Sequence, residues 1–399
     1  MATAPAHDPV VILSYARTPM GSFQGALAGV TAVELGTAAV KGAVERAGVD
    51  AKDVERIYMG NVLSAGLGQA PARQAAIGAG LGTHVEATTL NKMCGSGMQA
   101  AMMASDALLA GSADLVVAGG MESMSGAPYL SKKHRAGARI GHDTVYDHMM
   151  LDGLEDAYEP GRAMGTFAED IATEYQFTRA AMDDYAVQSL TRAQGAQKSG
   201  AFDREIVAVE VKGRKGTVTV SEDEQPAKGD VAKIPTLKAA FAKEGAITAA
   251  NSSSISDGAA ALVMTRQSVA DRLGLKPIAR VVSHAAHAHE PERFTTAPVT
   301  AMKKALDKAG WSVGDVDLFE VNEAFAVVAM IAMRDLGLDH AKVNVHGGAC
   351  ALGHPIGASG ARVLATLLSA LEGAGKKRGL ASLCIGGGEA TAMAIELVD

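Results

Sequence analysis

The chain has 399 residues, 48% apolar, 20% charged and only 4% aromatic, with a net charge of −7. That length suits two or three domains of roughly 100–200 residues, with cores of Ala, Val, Leu, Ile and the 18 Met, and close backbone contacts at the 45 Gly. The acidic balance excludes nucleic acid as a partner, because phosphate binding needs clustered Lys and Arg; an anionic small molecule needs only a local basic patch.

Three cysteines make no disulfide framework. No apolar run approaches the roughly 20 residues of a membrane span, and the longest, Ala324–Met333, suits a buried helix. The opening MATAPAHDPV lacks the basic and apolar regions of a secretion signal. The expected setting is reduced and cytoplasmic, with a eukaryotic organelle as the alternative and no membrane contact.

Along the chain, the strand-like Val10–Ser14 comes first, then helical periodicity over Glu34–Ala47 ending at Gly48. Asp53-Val54 leads into Ile57-Tyr58-Met59-Gly60-Asn61. Asn91-Lys92-Met93-Cys94-Gly95-Ser96-Gly97 precedes the helix-like Met98–Leu109, and Val116–Glu122 follows. These features recur about 262 residues later. Thr300–Ala309 ends at Gly310, Asp315-Val316 leads into Leu318-Phe319-Glu320-Val321-Asn322, and Ser359-Gly360 opens a second small-residue helix. Leu383–Glu389 stands as the counterpart of Val116–Glu122, so the four matches have offsets between about 261 and 267. The order implies a duplication that yields two α/β halves with buried central strands, packed face to face.

Between the halves lies a segment of different character, about 123–245, which reads as a lid, a binding platform or an oligomer arm. Within it, Ile206–Lys212 and Thr217–Ser221 flank Gly213-Arg214-Lys215-Gly216 as a hairpin. Its charged turn is either solvated or a phosphate contact. The expected boundaries are 1–122 for the first half, completed by about 246–275, then 123–245, and 276–399 for the second half.

Cys94 stands just before a helix, where peptide dipoles lower a thiol pKa and favour thiolate. Composition alone favours an inert buried cysteine at that position. Cys384 follows the strand-like Leu380–Leu383 and precedes Gly386-Gly387-Gly388, whose N–H groups suit an oxyanion. Cys350 reads as a small packing residue. His354, between Gly353 and Pro355 in a constrained loop, is better placed for acid–base work than His287 or His289, which look solvent-facing. His346 reads as structural or supporting. Asn322 either holds a water or caps the following helix. No CxxC, HExxH or paired-His spacing supports a metal site.

Four of these blocks resemble the active-site motifs of the thiolase family: Asn91–Gly97 with its Cys, Asn322-Glu323-Ala324-Phe325, Gly353-His354-Pro355 and Cys384-Ile385-Gly386. Met121–Ser125 and Asn251–Gly258 fit the same family, and the likeness spans nearly the whole chain. The resemblance implies the thiolase fold, an αβαβα arrangement of two five-stranded halves with an inserted loop domain that binds coenzyme A and builds a homotetramer. It implies the reversible condensation of two acetyl-CoA to acetoacetyl-CoA and CoA, with no tightly bound cofactor.

By the same resemblance, Cys94 is acylated, His354 activates it, and Cys384 moves the α-proton. Asn322 holds a water that, with His354, stabilises the thioester oxygen, and the N–H groups of Cys94 and Gly386 stabilise the tetrahedral intermediate. Leu154, Met164, Ser253, Ala324 and Phe325 are the implied coenzyme A contacts. One departure is Ala163, where many members carry His before Met-Gly, which bears on acyl-chain preference. The rival enzyme is a broad-chain 3-ketoacyl-CoA thiolase of fatty-acid degradation. A carrier-protein ketosynthase pairs its Cys with two His, whereas Asn322 stands in the place of one. A non-catalytic binding protein would be expected to lack Cys94, His354 or Cys384.

Overall fold

A computed structural model describes residues 8–214 and 216–398. Lys215 of the expected charged turn and the first seven residues of the opening segment lie outside them. Nine strands carry the architecture: β1 (Val10–Arg17), β2 (Arg56–Gly60), β3 (Glu86–Leu90), β4 (Leu115–Ser123), β5 (Ser256–Arg266), β6 (Ala279–Ala288), β7 (Leu318–Val321), β8 (Arg378–Ile385) and β9 (Glu389–Leu397). Their spatial order is β7-β8-β9-β6-β1-β5-β4-β2-β3, with the short Gly21–Ser22 paired to β5 off this path. The β2·β3, β2·β4 and β7·β8 pairs are parallel, and the rest of the path is antiparallel.

The halves meet differently from the expected face-to-face packing alone. β1 and β6 pair at their edges through Val11 with Arg280 and Ile12 with Ala279, so hydrogen bonding runs through both halves. The faces meet too, with helices between them. The second half has four strands of this sheet rather than five; a single parallel bridge, Phe319 with Val343, stands beyond β7.

Two helices form the central layer, α2 (Ser96–Leu109) and α7 (Ser359–Ala374). Strand alternation assigns the cores. Val116 and Ala118 of β4 join α2, α7, Leu383 and Met393 in the central core, while Leu115, Val117 and Met121 face α1 (Ala32–Ala47) in an outer core. A second outer core holds α5 (Ala297–Ala309) and α6 (Ala326–Leu336) with α3 (Met164–Glu174) of the inserted segment. The layers are therefore αβαβα.

Local chemistry sets the helix ends. Thr31 and Glu34 form a capping box at the start of α1, and Gly48 closes it in the left-handed region. In contrast, α2 and α7 begin at Gly95 and Ala358 with no side-chain cap; their first N–H groups bond instead to backbone, Ser96 N to Met93 O and Ser359 N to Pro355 O, each at 3.0 Å. Gly97 and Gly360 let the two helices touch there: a Cβ on Gly97 would sit 2.6 Å from Ala361 N, and one on Gly360 2.1 Å from Met98 N.

The inserted segment includes α3, α4 (Arg179–Ser199) and the hairpin Val209–Gly213 with Gly216–Val220, whose first strand starts later and whose second starts earlier than the sequence pattern suggests. It is anchored by the fully buried Arg17 of β1, which donates to Glu205 at 2.6 Å and to both oxygens of Asp223 at 2.7 and 2.8 Å. Paired and bidentate, this guanidinium satisfies most of its donors in the interior. Among the described residues, no helix is long and apolar enough to cross a membrane.

Candidate active site

β3 ends at Leu90, and the chain turns through Met93, a non-glycine residue at φ 46°, to deliver Cys94 ahead of α2. A left-handed φ is costly for such a side chain and persists only when its surroundings enforce it. Gly95 admits the other half: a Cβ there would lie 2.4 Å from Ile385 Cδ1. The N–H groups of Gly386 and of Cys94 itself both reach the Cys94 sulfur. Burial nevertheless pushes the thiol up to about 11, and the nearby Glu122 carboxylate adds to the rise. The direction is opposite to the one a helix terminus alone would give, because desolvation disfavours the charged form of the thiol.

Cys94 is half-buried at the cavity, and His354 is buried. Its Nδ1 is 2.5 Å from Ser359 Oγ, which donates to Pro355 O at 2.9 Å. Ser359 must therefore accept from Nδ1–H, which leaves Nε2 as the unprotonated nitrogen. Asn322 Nδ2, 3.5 Å away, donates towards that Nε2. Burial, reinforced by the Arg362 charge, lowers His354 to about 3. Burial thus favours the neutral form of both the Cys94 thiol and the His354 imidazole.

Cys384 lies within β8, which extends two residues beyond the strand-like Leu380–Leu383 at each end, and is fully buried. Its thiol is raised well above the ordinary value by burial and then by the charge of Cys94. Asn322 follows β7, and its N–H bonds to Ser382 O at 3.0 Å. Gly386 starts the three-residue turn between β8 and β9. There Gly388 sits at φ 87°, and a Cβ on it would be 2.4 Å from His289 O.

Cys94, His354 and Gly386 line one apolar cavity of about 660 Å³, while Cys384 and Asn322 stand behind its wall. Leu154, Met164, Ser253, Ala324 and Phe325 line it as well, as does Ala163. Leu154 belongs to the wide helical turn Met150–Leu154 of the inserted segment. Ser253 donates to Ala324 O at 3.0 Å, so its oxygen remains free to accept. Phe325 packs edge-on against Phe241 and Phe294, with centroids 6.0 and 6.4 Å apart.

Several residues that carry the geometry were not singled out in the sequence. Glu122 accepts from Val62 N, Leu63 N, Gly357 N and Asn61 Nδ2, tying two loops to the end of β4. Arg362 donates to Asn322 Oδ1 at 3.3 Å. Both side chains come from repeat segments, and Glu122 also lies in the Met121–Ser125 run. Away from the cavity, Cys350 packs on Glu323, to which its backbone N–H donates at 3.0 Å. His346 stands edge-on to Phe202. His287 and His289 are half-buried against each other rather than solvent-facing. Among the described residues, no three His, Cys, Asp or Glu side chains gather as a metal site.

Comparison with known proteins agrees with this geometry. Residues 10–268 match the model of the thiolase N-terminal domain, and 275–397 match that of the thiolase C-terminal domain. Acetyl-CoA acetyltransferase of Saccharomyces cerevisiae is 49% identical over 98% of this chain and 99% of its own length. That of Cupriavidus necator is 49% identical over 97% and 99%. Among solved structures, the Bacillus anthracis acetyl-CoA acetyltransferase superposes with a TM-score of 0.96 at 40% identity, over 99% of this chain and 100% of that one. The Acat5 thiolase of Ascaris suum, solved with coenzyme A, gives 0.92 at 42% identity, over 98% and 100%. With both domain models matched in order across nearly its whole length, the chain belongs to the thiolase family.

Proposed function

We propose that the chain is an acetyl-CoA C-acetyltransferase that joins two acetyl-CoA reversibly into acetoacetyl-CoA and CoA through an acetyl-cysteine. The observation that carries this reading is the meeting of a neutral thiol, an unprotonated imidazole nitrogen and two convergent backbone N–H groups at one wall of a deep apolar cavity. His354 Nε2 takes the Cys94 proton as the sulfur attacks the thioester carbonyl. The N–H groups of Cys94 and Gly386 hold the oxyanion. Cys384, kept protonated by burial, gives its proton to the departing CoA thiolate and becomes the base for the next step. It then removes the α-proton of the second acetyl-CoA. The enolate oxygen is held by protonated His354 and by a water on Asn322. The enolate carbon attacks the acetyl-cysteine, and the released Cys94 sulfur recovers its proton from His354. Thiolysis runs the same steps backwards, with Cys384 as the acid.

Thioester exchange balances without an electron carrier, so no tightly bound cofactor is required. Coenzyme A is a substrate, and the Ascaris suum relative holds it. Leu154, Met164, Ser253, Ala324 and Phe325 receive its pantetheine arm, Ser253 by its free lone pair. The division 1–122 with 246–275, 123–245 and 276–399 gives the chain two catalytic halves and a binding domain. Exposed apolar residues of the inserted segment, Tyr129, Ile140 and Val145, support a homotetramer. Three free cysteines suit the cytoplasm, where the product serves acyl-CoA and fatty-acid metabolism.

A thiolysis profile with CoA against 3-ketoacyl-CoA of increasing chain length tests the substrate. Acetoacetyl-CoA should be preferred, and a clear preference for long chains would instead establish the broad-chain 3-ketoacyl-CoA thiolase.

A further inference from the structure

Asn322 works only if it presents the right end of its amide. A carboxamide carries a donor face and an acceptor face of nearly the same shape, and a half-turn about its last bond exchanges them. An enolate oxygen, or a water that must donate to one, is served by the first and repelled by the second.

The fully buried Arg362 decides between these faces. Its guanidinium has donors alone, and one of them lies 3.3 Å from Asn322 Oδ1, the single hydrogen bond of that guanidinium among the described residues. Its Nε and Nη1 lack hydrogen-bond partners, although Nη1 stands 3.5 Å from Glu320 Oε2. Glu320 in β7 and Asn322, one residue past its end, are two residues apart, and both meet Arg362 from the first turn of α7. Turning Asn322 over would point its N–H₂ at a buried cation and leave that cation without any hydrogen bond, a large penalty in a low-dielectric interior. The duplicated asparagine is a natural control. Asn61 donates to Glu122 Oε1 at 2.9 Å and to Met121 O at 3.1 Å, and its Oδ1 has no partner. One copy is thus oriented by an acceptor and the other by a donor, and Gln99 occupies the place in the first repeat that Arg362 has in the second.

We propose that Arg362 is a positioning residue for carbon–carbon bond formation: it holds Asn322 Oδ1 so that Nδ2 always faces His354 and the enolate site. This rests on the acetyltransferase reading. It separates the two half-reactions, because acetylation of Cys94 uses the N–H groups of Cys94 and Gly386, whereas condensation adds the demand on Asn322.

The test compares Arg362→Met and Arg362→Lys with the wild-type protein in two measurements, the rate of acetyl-enzyme formation from acetyl-CoA and kcat for acetoacetyl-CoA synthesis. Arg362→Met should lower the ratio of condensation to acetylation by about tenfold or more, with KM for acetyl-CoA little changed. Arg362→Lys, also donor-only and cationic, should restore most of that ratio. In an Asn322→Ala background, Arg362→Met should have less than about a twofold further effect on condensation. An unchanged ratio in Arg362→Met, or an equal loss with and without Asn322, would overturn the proposal by showing a merely structural role. Should Arg362→Met not fold, Arg362→Gln is read by the same ratio. Failure of the wild-type protein to make acetoacetyl-CoA would instead overturn the acetyltransferase reading.

Discussion

The two halves carry the same parts to different ends. The sheet register pairs Gly60 with Gly120 in the first half and Val321 with Ser382 in the second. Carried to the strand ends, that correspondence sets Glu122 against Cys384, a revision of the alignment that matched the glycine runs and set Glu122 against Glu389. The loops before the central helices correspond too, with Asn91 against His354 and Cys94 against Gly357. Each loop reaches into the opposite half: Gly357 N–H bonds to Glu122, while Cys94 sits within electrostatic reach of Cys384. One crossing became a clamp of a buried carboxylate and backbone amides, and the other became two thiols with a base. The two crossings at the meeting of α2 and α7 are thus equivalent in position and differ in the side chains they carry.

The largest expected effect breaks the reactive crossing. Cys94→Ser should remove acetyl labelling by acetyl-CoA and lower synthesis by about 10³-fold or more, because a serine hydroxyl is a far weaker nucleophile towards a thioester under this base. Persistent labelling at another residue, read by peptide mass spectrometry, would move the nucleophile elsewhere. Next, Cys384→Ala should still form acetyl-enzyme while condensation falls by about 10²-fold, the usual scale of a general acid–base group. Normal acetoacetyl-CoA synthesis by that variant would end its assigned role.

A third measurement sharpens the burial argument. With the thiol raised to about 11 and His354 lowered to about 3, the thiolate fraction of Cys94 should grow about tenfold per pH unit across the neutral range. Iodoacetamide alkylation followed from pH 6 to 9 should therefore rise without levelling. A plateau would indicate the thiolate that the helix terminus alone would favour.

The smallest effect probes the clamp. Burial raises Glu122 from 4.5 to about 7. Between those values the folded state holds a proton that the unfolded state has lost, so its contribution to stability is present below pH 4.5 and is lost as the pH rises towards 7. Glu122→Gln does not titrate, and it should flatten that part of the Tm profile by a few degrees. A profile identical to the wild type would remove Glu122 as its source.

Much of the site was readable before folding because thiol, imidazole and glycine chemistry is local to short blocks. Cys94, His354, Cys384, Asn322 and Gly386 all come together around one cavity wall. What could not be read is how their surroundings alter them. Ser359 looked like a repeat marker and proves to set the His354 tautomer through a 2.5 Å contact. A helix terminus before which Cys94 stands is visible in sequence, whereas the desolvation that raises its pKa depends on distant residues. The edge pairing of Val11 and Ile12 with Arg280 and Ala279 was likewise hidden, since its partners are far apart in the chain and nothing in either segment names the other.

By itself the sequence determined the duplication, the layered α/β class and the list of reactive groups, because periodicity, glycine placement and side-chain chemistry are properties of short segments. Tertiary structure alone decided which groups face one another and which of their protonation states burial favours. Those depend on burial and on contacts between halves about 262 residues apart, where solvent exclusion rather than residue type sets the energy of a charge.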